Sequence, residues 1–276
     1  MNLYNIINEI EKVDPEVYER LDSRRSAMKN FAGLGKKLAF TAVPFALGSM
    51  LNKAYGQSAN SIVDVLNFAL TLEYLEAGFY AKGNTVATVL IPNAGDRSAI
   101  KTIGNHETAH VAALKATIQQ LGGTPVSSPT FDYTAKGTFA DVFTNYGTFL
   151  AVAQTFEDTG VRAYKGQAAN LISNNDVLTA ALNIHSVEAR HASQVRQMRK
   201  ANGFGDVKPW ITLNQSGIAS SAVQTSYNGE ENTTQAGVQI TNINGQKISK
   251  EAASEAFDEP LDKSQILAIV KPFIVA

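Results

Sequence analysis

Between residues 60 and 202, four stretches carry apolar side chains at alternating three- and four-residue spacing, and each stripe is broken near its middle by glutamate. That spacing marks one face of an α-helix. The first stripe runs Ile62, Leu66, Ala69, Glu73, Glu76, Tyr80 and the second Ile100, Ile103, Glu107, His110, Leu114, Ile118, Leu121. The third runs Phe139, Phe143, Tyr146, Leu150, Ala153, Glu157, Gly160, Tyr164 and the fourth Val177, Ala181, Ile184, Glu188, His191, Val195, Met198. A carboxylate on a face that must be buried is costly unless something positive meets it. The helices are therefore expected near 60–82, 97–121, 138–168 and 175–201, packed as a bundle around that unknown positive partner.

The polar interruptions repeat. "EYLEAGFY" places Tyr80 seven residues after Glu73, and "EDTGVRAY" places Tyr164 seven after Glu157. The second and fourth helices instead carry Glu107-x-x-His110 and Glu188-x-x-His191. The chain thus uses one helix pair twice, E-x6-Y followed by E-x-x-H. Only five glutamates occur from Asn60 to Asn202, and four occupy these positions. The fifth, Glu76, has Gly160 as its counterpart and is either an extra carboxylate ligand or a residue at the rim. His106 and His185 flank the repeat as polar neighbours.

The stretch "GGTPVSSPTFDYTAKG", Gly122 to Gly137, is rich in turn-forming residues. Its sixteen residues can span roughly 50 Å at about 3.3 Å each, against about 37 Å for a helix of about 25 residues. Helices two and three therefore need not form a simple hairpin; the connector is long enough to cross the bundle.

At (i, i+3) a glutamate and a histidine project from one helical face, so both can reach one metal ion. Four buried carboxylates would repel one another and protonate, whereas two divalent cations balance them. The chain has no cysteine, which leaves any metal to oxygen and imidazole, a donor set suited to iron or manganese. A formal net charge of −1 without a basic stripe argues against nucleic acid as a partner.

On "LNFALTLEYLEAGFY", "HETAH" and "HSVEARH" the chain resembles the ferritin-like superfamily, over about residues 60 to 202. Within it, the chain is similar to exported bacterial ferritin-like domain proteins related to desiccation-associated proteins. The resemblance implies an all-α, ferritin-like four-helix bundle with a long crossover. It also implies two divalent metal ions, iron or manganese, held by Glu73, Glu107, His110, Glu157, Glu188 and His191. Tyr80 and Tyr164 would then be partners of the metal ligands or electron-transfer groups, or simply large core residues with a bonded hydroxyl.

Ahead of the bundle, Ser23-Arg24-Arg25-Ser26-Ala27-Met28-Lys29 precedes the apolar run from Leu38 to Leu51 and then Ala54-Tyr55-Gly56. The run is too short for a permanent span, and the ordered set resembles a twin-arginine export signal over residues 1–56. The alternative is an amphipathic anchor. Export implies the twin-arginine translocation machinery as partner, an extracytoplasmic or periplasmic location, and no stable membrane span after cleavage.

The bundle is expected over 57–202 and a mostly irregular extension packing on it over 203–276. That extension should hold a short strand in "VQITNI" and short helices at Ser249–Phe257 and Leu261–Ile269. Together these features suggest an exported dinuclear metal protein with oxygen- or peroxide-linked redox activity in stress protection, ferroxidase-like or peroxidase- or catalase-like. The alternative is a non-enzymatic stress or envelope protein whose metals are structural. Long connectors and the extension favour a monomer or small homo-oligomer over a storage shell.

Overall fold

The computed structural model describes residues 59–275. The leader expected over residues 1–56 lies outside them. Four long helices, α1 (Ala59–Thr85), α2 (Ala94–Gln120), α3 (Tyr146–Ala168) and α4 (Asn175–Ala201), form the bundle. Asparagine side chains start three of them. Asn93, Asn145 and Asn174 accept hydrogen bonds from the backbone N–H groups of Asp96, Thr148 and Val177, satisfying donors that a helix start otherwise leaves unpaired.

The helices pair as two antiparallel hairpins, α1 with α2 and α3 with α4. The connector between them runs the length of α1. Near its start, Asn67 of α1 bonds Thr124 and Val126; further on, Tyr74 donates to the Val126 carbonyl. At the far end Lys82 lies over the rings of Tyr133 and Phe143. Helix α3 consequently begins beside the C-terminal end of α1 and runs antiparallel to it. This is the crossover that the connector's reach allows.

The third helix starts at Tyr146, eight residues later than the apolar spacing suggests. Ala135, Lys136 and Gly137 all take positive φ, which breaks any helix there. The residues that follow form successive turns in which the Asp141 carbonyl accepts from Thr144 and Asn145. Phe139 and Val142 are buried all the same. Phe139 stacks on Phe273 of the extension, with ring centroids 6.2 Å apart. Burial, and not helicity, explains the periodic apolar residues in this stretch.

Apolar side chains fill both ends of the bundle. One end is built from Ile62, Leu66, Leu70, Leu114, Ile118 and Val177. At the other, Phe79 stacks on Phe149 at 4.8 Å and meets Phe156 edge-on at 5.2 Å. The glutamates of the four stripes lie between these two plugs.

The extension is bolted to α3 and α4 by buried arginines. Arg162 and Arg196 are each 1% exposed and Arg199 3%. Arg162 donates to the carbonyls of Ser226, Asn228 and Glu259 and pairs with Glu230 at 2.7 Å. Arg196 makes a two-armed pair with Asp158, which also accepts from the Tyr227 hydroxyl. Arg199 donates to the carbonyls of Phe204 and Gly217.

Two short helices follow, α5 (Lys250–Ser254), capped by Ser249, and α6 (Lys263–Val270), opened by a capping box between Asp262 and Gln265. "VQITNI" is not one strand. Val238–Gln239 closes a hairpin with Thr234–Gln235, and Asn242–Ile243 opens a second with Gln246–Lys247. The turns Ala236-Gly237 and Asn244-Gly245 sit at positive φ, the geometry of two-residue hairpins, and they cut the segment in two. Among the described residues no helix is long and apolar enough to cross a membrane.

Arg162→Leu strands the buried Glu230 carboxylate and three carbonyls together. It should lower unfolding free energy by about 3–5 kcal/mol, read from the urea midpoint. A loss below about 1 kcal/mol, the range of exposed pairs, would show that the extension is not anchored this way.

Candidate metal centre

Each bundle helix delivers its polar residues to one level. Helix α1 brings Glu73, α2 brings Glu107 and His110, α3 brings Glu157, and α4 brings Glu188 and His191. All four glutamates are 0% exposed and both histidines are buried. Within α2 and α4 the three-residue spacing sets carboxylate and imidazole on adjacent turns of one face.

His110 Nδ1 lies 3.1 Å from Glu107 Oε2, 3.2 Å from Glu73 Oε2 and 3.1 Å from Glu188 Oε1. His191 Nδ1 lies 2.8 Å from Glu107 Oε1 and 3.3 Å from Glu157 Oε2. A single imidazole nitrogen carries at most one proton and cannot satisfy three carboxylate oxygens. Glu107 Oε1, Glu157 Oε2, both oxygens of Glu188 and His191 Nδ1 are accordingly buried without a hydrogen bond, the 2.8 Å approach notwithstanding. Buried polar atoms rarely lack partners.

Their lone pairs converge in two groups. Donor atoms of Glu73, Glu107, His110 and Glu188 all lie within 4.8 Å of one another, as do those of Glu107, Glu157, Glu188 and His191. Glu107 and Glu188 belong to both groups, while Glu73 and Glu157 each belong to one. Four carboxylates and two imidazoles arranged this way are compatible, in charge and donor type, with a metal site.

The tyrosines cross over. The Tyr80 hydroxyl donates to Glu157 Oε1, and the Tyr164 hydroxyl donates to Glu73 Oε1. Each tyrosine thus holds the glutamate of the opposite helix, not the one seven residues before it. Occupying Oε1 leaves Oε2 of each carboxylate turned toward the convergence point. Burial, followed by the neighbouring carboxylates, raises both phenol pKa values, so the hydroxyls keep their protons.

Glu76 lies inside the bundle, 4% exposed, and not at the rim. A Cβ placed on Gly160 would meet Glu76 Oε1 at 3.2 Å and Glu188 Oε2 at 3.3 Å. The missing side chain at Gly160 is therefore the space into which both carboxylates reach. His185 donates from Nδ1 to the Val161 carbonyl, and the exposed His106 contacts His191; neither enters the two groups. The Asp158–Arg196–Tyr227 network directly behind Glu157 has no counterpart in the sequence pattern.

Protonation follows from these neighbours. Burial pushes Glu73 up to about 7 and raises Glu157; it also raises Glu188, with Glu107 and Glu73 adding to the effect. Burial opposes charge on His191, but Glu107 and Glu157 overcome it and lift the imidazole to about 9. Burial would likewise raise Glu107, yet the two imidazoles hold it down to about 2. With cations withheld, the folded chain binds more protons than the unfolded chain wherever a pKa is raised. Glu73 contributes stability fully below its ordinary 4.5 and loses it as pH rises through about 7; His191 loses its contribution from 6.5 through about 9. Glu107 runs the other way, and its contribution is lost only as pH falls toward 2. Chelator-treated protein should therefore melt at progressively lower temperature from about pH 5 to about pH 9, and Mn2+ addition at pH 7 should release protons. A melting temperature that rises over that range would contradict this charge assignment.

The family comparison points the same way. A family model described as the ferritin-like domain matches residues 61–201, which spans all four bundle helices and every residue of the two donor groups. No curated protein matches the chain. By the extent of that match, the chain belongs to the ferritin-like domain family.

Proposed function

We propose that the protein holds two divalent metal ions, iron or manganese, and uses them in oxygen- or peroxide-linked redox chemistry. The observation that carries this reading is the sharing of Glu107 and Glu188 between two converging donor groups. Glu73 with His110 would serve one ion and Glu157 with His191 the other, with Glu107 and Glu188 reaching both. Such a pair of ions supplies electrons and Lewis acidity to a small oxygen species.

The chain's own residues set the conditions. Tyr80 and Tyr164 orient the two outer carboxylates, and the apolar plugs at both ends exclude bulk water. Neither oxygen of Glu188 has a hydrogen-bond partner, so both would be available to a metal ion. Beside Glu76 and Gly160, a cavity of about 10 Å³ lined by Leu72, Leu75, Phe156 and Val270 opens along the seam of α1 and α3. That volume admits about one water-sized molecule, which supports a small species such as oxygen or peroxide as the substrate.

Iron-loaded protein is expected to consume peroxide or oxygen while sedimenting as a monomer or small oligomer. Glu188→Ala should lower the rate at least about 100-fold, a loss of roughly 3 kcal/mol in transition-state stabilisation. A large particle carrying hundreds of irons would restore storage as the function. Two bound metals without turnover would favour the reading in which the metals only brace the bundle.

Export and a role in stress protection are part of the proposal, and the ordered leader pattern supports the former. Arg24→Lys with Arg25→Lys should retain the precursor in the cytoplasm, as shown by fractionation. Undiminished export would argue for another route.

A further inference from the structure

The two halves of the centre are related by the sequence repeat, and the relation fails behind one histidine. Aligning Glu107 with Glu188 and His110 with His191 sets His106 opposite Val187. His106 Nδ1 lies 3.0 Å from His191 Nε2, with the rings nearly parallel and their centroids 5.2 Å apart. Val187 has no polar atom to offer His110, whose hydrogen bonds among the described residues all run from Nδ1 to carboxylates.

We propose that His106 is a positioning residue that acts through His191, so that the two halves of the centre hold their metals unequally. This rests on the dinuclear reading given above. An N–H···N bond between two imidazoles needs one donor and one acceptor. For His191 to present a lone pair at Nδ1, facing Glu107 and Glu157, its proton must sit on Nε2. The atom facing that proton is His106 Nδ1, which therefore accepts, and the proton of the exposed His106 ring sits on its own Nε2.

The hydrogen bond fixes both the tautomer and the ring orientation of His191, as partners behind metal-bound histidines do. Among the described residues His110 has no such support. The Glu157–His191 half is preorganised to receive a cation, whereas the Glu73–His110 half must select tautomer and ring angle on binding.

Titration of metal-free protein with Mn2+ by calorimetry tests this without any activity measurement. Wild type should bind two ions. His106→Leu should weaken one of the two by about 10–100-fold and leave the other within about twofold. His106→Asn, whose side-chain oxygen can accept in place of Nδ1, should restore most of the lost affinity. In 15N-labelled wild type, a through-hydrogen-bond coupling should connect the His191 and His106 ring nitrogens, and it should be absent from His106→Leu. Two ions bound by wild type with an unchanged His106→Leu titration would overturn this inference alone. Equal weakening of both ions would also overturn it, because support would not be confined to one half. Fewer than two ions in wild type would overturn the dinuclear reading and the inference with it.

Discussion

Mutual repulsion among carboxylates buried at one level of an apolar bundle is the constraint on which the rest depends. Glu73, Glu76, Glu107, Glu157 and Glu188 are all shielded from water, and only two imidazoles stand among them. Coulombic energy between close like charges grows as the local dielectric falls. The chain can relieve it by taking up protons or by taking up cations. The raised carboxylate and imidazole pKa values are the first solution, and the two converging donor groups are arranged for the second. Metal binding at this centre would accordingly release protons, since both answer the same charge balance.

This balance explains why so much of the centre is legible in the sequence. Glutamate is scarce in the bundle segment, and four of its five occurrences fall on the repeated positions of stripes that are otherwise largely apolar. Local helical geometry alone then sets Glu107 beside His110 and Glu188 beside His191. The start of α3 is less legible because Phe139 and Phe143 continue the apolar spacing while the backbone turns away. Periodicity reports burial, and burial here is supplied by Phe273, more than a hundred residues along the chain. The crossed tyrosines were likewise beyond local reading, since Tyr80 and Tyr164 reach glutamates 77 and 91 residues away in sequence.

The extension was the least legible part. Arginine in a helix ordinarily marks a solvent face, yet Arg162, Arg196 and Arg199 are enclosed. Their partners are mostly backbone carbonyls of loops, which carry no sequence signature. The consequence is functional as well as architectural. Asp158, gripped by Arg196 and Tyr227, adjoins Glu157 in the chain, and α6 contributes Val270 to the cavity beside Glu76. The extension therefore packs against α3 and also lines part of the cavity beside Glu76.

Anomalous diffraction from crystals of Mn2+-loaded protein tests the central claim most directly. At saturating Mn2+ two peaks are expected, one among Glu73, Glu107, His110 and Glu188 and one among Glu107, Glu157, Glu188 and His191. A single peak, or peaks away from these six side chains, would contradict it.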